Sequence, residues 1–144
     1  MFEQPASRKE PTGQPTVLVL GGTGFVWRAL CRVLSARGDW RIVATTRSPK
    51  DGDPTLRLPN VGVERRAPLG EDSMRQALHR ADAVVNLVAI LHGTAQQFHG
   101  AHIKLPDLLG RAVRKLGGRR LVHVSAIGVD EPRDSVYIQF EGVG

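Results

Sequence analysis

Residues 16–27 read Thr16-Val17-Leu18-Val19-Leu20-Gly21-Gly22-Thr23-Gly24-Phe25-Val26-Trp27, a β-branched and leucine run that feeds into a glycine turn and then opens a helix. A glycine turn between a strand and a helix is the opening of a dinucleotide-binding unit. Gly21 lets the chain turn sharply off the strand. Gly24 lets the backbone and the helix N-terminus approach a pyrophosphate, whose charge the free N–H groups and the helix dipole favour. A third glycine belongs at position 27, where helix and strand pack closest, and this chain carries Trp27 there. An indole where the fold leaves room for a hydrogen must either push the helix off the first strand or swing outward across the pyrophosphate path.

Outward from this motif, strands and helices alternate. Residues 17–20 form the first expected strand, and 25–37 a helix with Val26, Leu30, Val33 and Leu34 on one face, ending at Gly38. Residues 41–46 read as a second strand, 48–60 as a Pro-, Gly- and Asp-rich loop, and 62–65 as a short third strand. Asp72 or Ser73 is placed to cap a helix through Arg80, with Met74, Ala77 and Leu78 inward. The continuous apolar run 83–90 suits a strand covered on both faces. A helix over 103–116 tolerates Pro106 only near its first turn and ends at Gly117 and Gly118, before a fifth strand at 120–125. This alternation predicts an α/β, Rossmann-like, doubly wound parallel sheet of five strands in the order 3-2-1-4-5. Ligands of such sheets bind beyond the carboxyl ends of the strands, so Gly21, Thr46, Ala89 and Ser125 are expected to border one crevice. Residues 1–15, with three prolines and no periodicity, read as a flexible tail before a single NAD(P)-binding domain over 16–144.

At 144 residues, 41% hydrophobic and 24% charged, the chain is one ordinary globular domain. Its single cysteine, Cys31, excludes disulfides and a cysteine metal cluster within the chain and reads as a small buried apolar residue. No apolar run reaches the roughly 18 to 20 residues that span a bilayer. The longest, 81–91, is interrupted by Asp82 and Asn86. The N-terminus has no apolar signal core, and Glu3 and Glu10 argue against a transit peptide, which leaves a soluble cytoplasmic protein as the expectation. The net charge of +6 comes mostly from arginines dispersed along the whole chain, beside few aromatics, which reads as composition bias rather than a nucleic-acid groove.

A dinucleotide protein normally ends its second strand on an acid that holds the adenosine ribose, or on a basic residue that accepts a 2′-phosphate. Here the strand ends Ala44-Thr45-Thr46-Arg47-Ser48, with no acid. Arg47, joined by Arg28 just past the glycine turn, suits a phosphate and predicts NADP(H) over NAD(H). Ser125 ends the fifth strand and Tyr137 follows, a hydroxyl to polarise a carbonyl and a phenol to donate a proton. The phenol needs an ammonium one helical turn on, and Glu141 stands there instead, a charge that raises a tyrosine pKa. His99 and His102 are spaced i,i+3 without a third ligand, so no zinc site is expected, and His92 is read as a capping or solvated residue.

Together, Gly21-Gly22-Thr23-Gly24-Phe25-Val26, the Arg47 strand end, Asn86-Leu87-Val88-Ala89-Ile90-Leu91-His92-Gly93, and Val122-His123-Val124-Ser125-Ala126-Ile127-Gly128 with Ser135-Val136-Tyr137 resemble the atypical extended short-chain dehydrogenase/reductases. Within them the chain is similar to the group of the NADPH-binding accessory subunit of respiratory complex I. The resemblance implies a Rossmann core holding NADP(H) along Gly21, Thr23, Gly24, Phe25 and Val26, with Arg28, Arg47, Val88 and Ala89 beside it. It implies Ser125 and Tyr137 in the active-site positions, and a structural or assembly role in place of turnover. A protein partner in a membrane respiratory complex, and a place peripheral to the inner membrane, follow from the same likeness. The chain departs from the family at Trp27 and at Glu141, where Tyr-x-x-x-Lys is expected. It stops at Gly144, where the family continues into a substrate-binding region, and so reads as truncated.

Overall fold

A computed structural model describes residues 13–21, 24–46, 53–65 and 70–125 of the chain. Strands β1 (Thr16–Leu20), β2 (Arg41–Thr46), β3 (Val61–Arg65), β4 (Ala83–Asn86) and β5 (Arg120–His123) form one sheet in the order β3-β2-β1-β4-β5. Every neighbouring pair is parallel, and Leu20 at the end of β1 stands between Thr45 of β2 and Asn86 of β4. This is the five-stranded doubly wound order that the alternation of elements predicts.

The central strand explains why helices must lie on both faces. All five residues of β1 are buried, and successive side chains point to opposite sides. Leu18 and Leu20 enter one core with Met74, Leu78, Val84 and Leu109. Val17 and Val19 enter the other, with Trp27, Cys31, Ile42 and Ala44. Helices α2 (Glu71–His79) and α4 (Leu105–Lys115) supply the first face, and α1 (Phe25–Arg37) the second.

Several local expectations shift. The inward stripe of α1 is Trp27 and Cys31, flanked by the partly buried Leu30 and Leu34, while Val26 and Val33 face outward. The bulky indole takes the inward position and rotates the stripe away from the two valines. Helix α2 begins at Glu71 with Gly70 as its N-cap, so Asp72 and Ser73 lie inside it, and Ser73 Oγ donates back to the Gly70 carbonyl at 3.0 Å. β4 stops at Asn86 rather than 90, because Asn86 Oδ1 accepts the Val88 N–H at 3.1 Å and folds the backbone into a side-chain-closed turn. β5 likewise ends at His123.

The last helical segment starts well before residue 103. Thr94 opens α3 (Ala95–His99) with a reciprocal cap: Gln97 N–H donates to Thr94 Oγ1 at 3.2 Å and Thr94 N–H to Gln97 Oε1 at 2.8 Å. A π turn, Gly100–Lys104, then joins α3 to α4. Proline lacks a donor and its ring crowds the carbonyl four residues back. The wider turn just before Pro106 lets the helical run pass through that residue. Within the expected loop 48–60, a single 3₁₀ turn, Pro54–Arg57, is capped by Asp53.

Candidate functional site

The parallel register brings the carboxyl ends of β1, β2, β4 and β5 to one edge of the sheet. Gly21, Thr46, Ala89 and Ser125 therefore follow or end neighbouring strands, as the strand order predicts. Gly21 adopts φ 84°, a left-handed conformation that favours glycine. A Cβ there would stand 2.8 Å from Val88 N and 2.9 Å from the Leu87 carbonyl carbon, so the turn after β1 rests directly on the loop after β4. Gly22 and Thr23 lie outside the described residues.

The first turn of α1 is open toward this edge. Gly24, its N-cap, is extended and provides no side-chain cap, and a Cβ on it would meet nothing within 4 Å. The start of a helix leaves backbone N–H groups without an intrahelical partner, which an anion satisfies. Phe25, 87% exposed, and the exposed Val26 form an apolar rim beside the turn.

Trp27 is 1% exposed and lies in the core under α1, against Val19, Cys31, Ile42 and Ala44. The ring does not swing outward across the turn; it is directed inward, between α1 and the sheet. Its Nε1 is buried without a hydrogen-bond partner. The approach to the glycine turn is left clear of the ring, and the open cradle at Gly24 with the tight contact at Gly21 fits a pyrophosphate.

Arg28, the next residue, turns toward the segment after β2. Its Nε donates to Asp53 Oδ2 at 3.3 Å, and the arginine side chain is 42% exposed while that of Asp53 is 1% exposed. Asp53 Oδ1 accepts the Thr55 N–H at 3.0 Å. The Thr55 backbone N–H above all, with the Thr55 side chain and Arg28, holds the Asp53 carboxyl below the usual carboxylate range despite its burial. No acid was expected on this side of the crevice. The signal for it is Asp53-Pro54, a capping residue followed by a proline at the first helical position. Arg47, the other expected phosphate ligand, lies outside the described residues, as do Tyr137 and Glu141.

On the far side of the edge, Asn86 is fully buried. Because its Oδ1 is committed to Val88 N–H, its Nδ2 donates to His123 Nδ1 at 3.1 Å, which puts the ring proton of neutral His123 on Nε2. Val88 thus has its N–H engaged, whereas Ala89 is exposed. His102 is buried, stacks on Phe98 and bonds through Nε2 to the backbone of Ile90, which ties the π turn to the loop carrying Val88 and Ala89. Ser125 is exposed two residues past β5, and His92 is exposed in the loop after β4. Burial, and secondarily the charge of Asp53, push the Cys31 thiol up to about 12, the behaviour of an inert core residue. Among the described residues no group of three His, Cys, Asp or Glu is arranged to hold a metal ion, and no helix is long and apolar enough to cross a membrane.

Residues 17–137 match the model of the NAD dependent epimerase/dehydratase family. The chain belongs to that family. Its fold is shared with uronate dehydrogenase from Agrobacterium tumefaciens, at 19% identity over 90% of this chain and 52% of that one, with a TM-score of 0.70. It is shared equally with UDP-glucuronic acid 4-epimerase from Bacillus cereus in complex with NAD, at 18% identity over 88% of this chain and 48% of that one, TM-score 0.70. The UDP-glucose-4-epimerase from Stenotrophomonas maltophila with bound NAD and formylated UDP-arabinopyranose gives a TM-score of 0.71 at 19% identity, over 90% of this chain and 46% of that one. The chain spans about half the length of these structures. No curated protein sequence matches it.

Proposed function

We propose that this chain binds NADP(H) at the carboxyl edge of its sheet and serves as a binding or accessory domain, with little or no turnover. The observation that carries this is the uncapped first turn of α1, open at Gly24 and set against Val88 through Gly21, with a half-exposed guanidinium one residue past Trp27. The turn N–H groups would hold the pyrophosphate, and Arg28 with Arg47 the 2′-phosphate. Val88 and Ala89 would line the floor.

A bound nicotinamide supplies hydride exchange with a carbon centre. To use it, the chain would orient a carbonyl with the Ser125 hydroxyl and move a proton through the Tyr137 phenol. Glu141, four positions after Tyr137 in the sequence, would oppose that second step, because a carboxylate near a phenol disfavours its ionisation. The accessory reading extends to a protein partner in a membrane respiratory complex, on the strength of the segments around Asn86 and Ser125. A second reading, an oxidoreductase acting on a small carbonyl or a quinone, is supported by the exposed position of Ser125 at the same edge as Gly21.

Calorimetric titration of the full chain with NADPH and NADH, beside absorbance-monitored NADPH oxidation with small ketones and quinones, tests both. Tighter binding of NADPH without steady oxidation is the expected result. Equal affinity for the two cofactors removes the NADP(H) preference, and steady Tyr137-dependent oxidation removes the accessory role in favour of the enzyme.

A further inference from the structure

We infer that Asp53 is a specificity-determining residue that positions the Arg28 guanidinium for the 2′-phosphate of NADP(H), an inference that rests on the NADP(H) reading above. The pair is built asymmetrically. Asp53 accepts the Thr55 N–H at Oδ1 and Arg28 Nε at Oδ2, and its side chain is only 1% exposed, so burial keeps the carboxylate out of reach of a ribose hydroxyl. Arg28 is half-exposed and, among the described residues, is engaged through Nε alone. A guanidinium anchored at Nε keeps its two terminal nitrogens as an outward fork, the geometry that meets a phosphate bidentately.

The elements explain why the fork stands beside the cofactor. Arg28 lies in the first turn of α1, its N–H bonded to the Gly24 carbonyl at 3.2 Å. Asp53 caps the 3₁₀ turn that follows the segment after β2, on the side where a dinucleotide of this fold lays its adenosine ribose. The acid usual at that strand end is replaced in function: a carboxylate is present, but it points at an arginine instead of at the ribose.

Two opposing effects follow from one carboxylate. Its charge repels a phosphate through solvent, an effect that salt screens over about 8 Å at physiological ionic strength. Its grip on Nε removes the need to order a long side chain on binding, an effect that salt leaves untouched. Ordering one such side chain is worth roughly two- to tenfold in affinity, and the sign of the change on removing the carboxylate's charge separates the two effects.

Calorimetry of the full chain at 0.15 M and 0.5 M salt measures the NADPH to NADH affinity ratio for wild type, Asp53→Asn, Arg28→Lys and Arg28→Ala. Asp53→Asn turns an amide toward Nε and should lower the ratio by roughly two- to tenfold at both salts. Arg28→Lys keeps the charge without the Nε anchor and should lower it as well, and because Arg28 is half-exposed this variant tests the point even if Asp53→Asn does not fold. An unchanged or raised ratio in Asp53→Asn overturns the inference, and so does a wild-type ratio retained in both arginine variants, which would leave Arg47 as the phosphate ligand. A wild type that does not prefer NADPH overturns the underlying reading along with it, a result distinct from either.

Discussion

Replacing Trp27 by glycine restores the residue the fold expects at that position, and the chain should be less stable for it. The indole is 1% exposed. A buried aromatic removes roughly 150–250 Å² from water, and at about 25 cal/mol per Å² that amounts to about 4–6 kcal/mol. Its unpartnered Nε1 offsets about 1–3 kcal/mol. Glycine inside a helix costs about 0.5–1 kcal/mol more. The balance is a loss of about 1.5–6 kcal/mol, which brackets the roughly 3–5 kcal/mol range for large-to-small truncation of buried Trp or Phe. For a domain of this size that lowers the melting temperature by roughly 5–20 °C. Thermal melts followed by circular dichroism measure it. Trp27→Phe, which keeps most of the ring and deletes the orphaned N–H, should melt within a few degrees of wild type and well above Trp27→Gly. A Trp27→Gly protein that melts at or above the wild type refutes the reasoning, because the indole would then be an overpacked wedge rather than a core anchor.

Arg47→Ala should weaken NADPH binding and leave NADH binding nearly unchanged, a charge-assisted contact being worth about 1.5–3 kcal/mol; equal losses for both cofactors in calorimetry would exclude a 2′-phosphate role. NADPH oxidation by wild type should be absent or very slow and unaltered in Tyr137→Phe, since Glu141 stands where the phenol needs an ammonium; a robust rate abolished by the substitution would contradict this. Gly21→Ala should cost stability and dinucleotide affinity together, as its Cβ would sit 2.8 Å from Val88 N at φ 84°, and a variant with both intact would show that turn and loop are not coupled. Cys31 should resist iodoacetamide until the protein is denatured. Its folded pKa, about 12, lies above the ordinary thiol value of 9.0, so the unfolded chain loses that proton first. The thiol's contribution is complete below pH 9 and declines as pH rises from 9 toward 12. Melts from pH 8 to 10.5 should therefore fall more steeply for wild type than for Cys31→Ala, and parallel slopes would rule the contribution out.

The sheet was legible because its signals are local and redundant. A strand, glycine turn and helix at 16–37, followed by alternating apolar runs and helical periods, leave few topologies for five parallel strands. β2 is legible to the residue from its β-branched run after the helix end at Gly38. Misplaced boundaries are those decided by side chains reaching the backbone. Asn86 ends β4 by taking the Val88 N–H, and Thr94 with Gln97 starts α3 before the apolar period begins. The capping pair was readable as a Thr-x-x-Gln pattern. The π turn was not, because nothing in Gly100–Lys104 signals a widened turn except the proline that follows it.

The site divides along the same line. Gly21 and Gly24 announce themselves because glycine is rare where a side chain would serve, and each has a backbone reason the sequence implies. Asp53 does not, since an aspartate before a proline in a polar loop is ordinary until the fold brings it to Arg28 across 25 positions. Trp27 is the converse case, conspicuous in sequence but with two possible directions for its ring that only the fold separates. The side chain leaves the turn for the core, where Val19, Ile42 and Ala44 meet it. Three residues at the start of α1, its N-cap included, therefore do three jobs. Trp27 seats the helix on the sheet, Arg28 is held at its flank by Asp53, and Gly24 leaves its end open. Close helix–strand approach, which the third glycine secures in other dinucleotide units, is replaced here by an indole beneath the helix and an ion pair beside it. The seating of α1 on the sheet then depends on side chains that can be substituted one at a time, which a glycine contact does not allow.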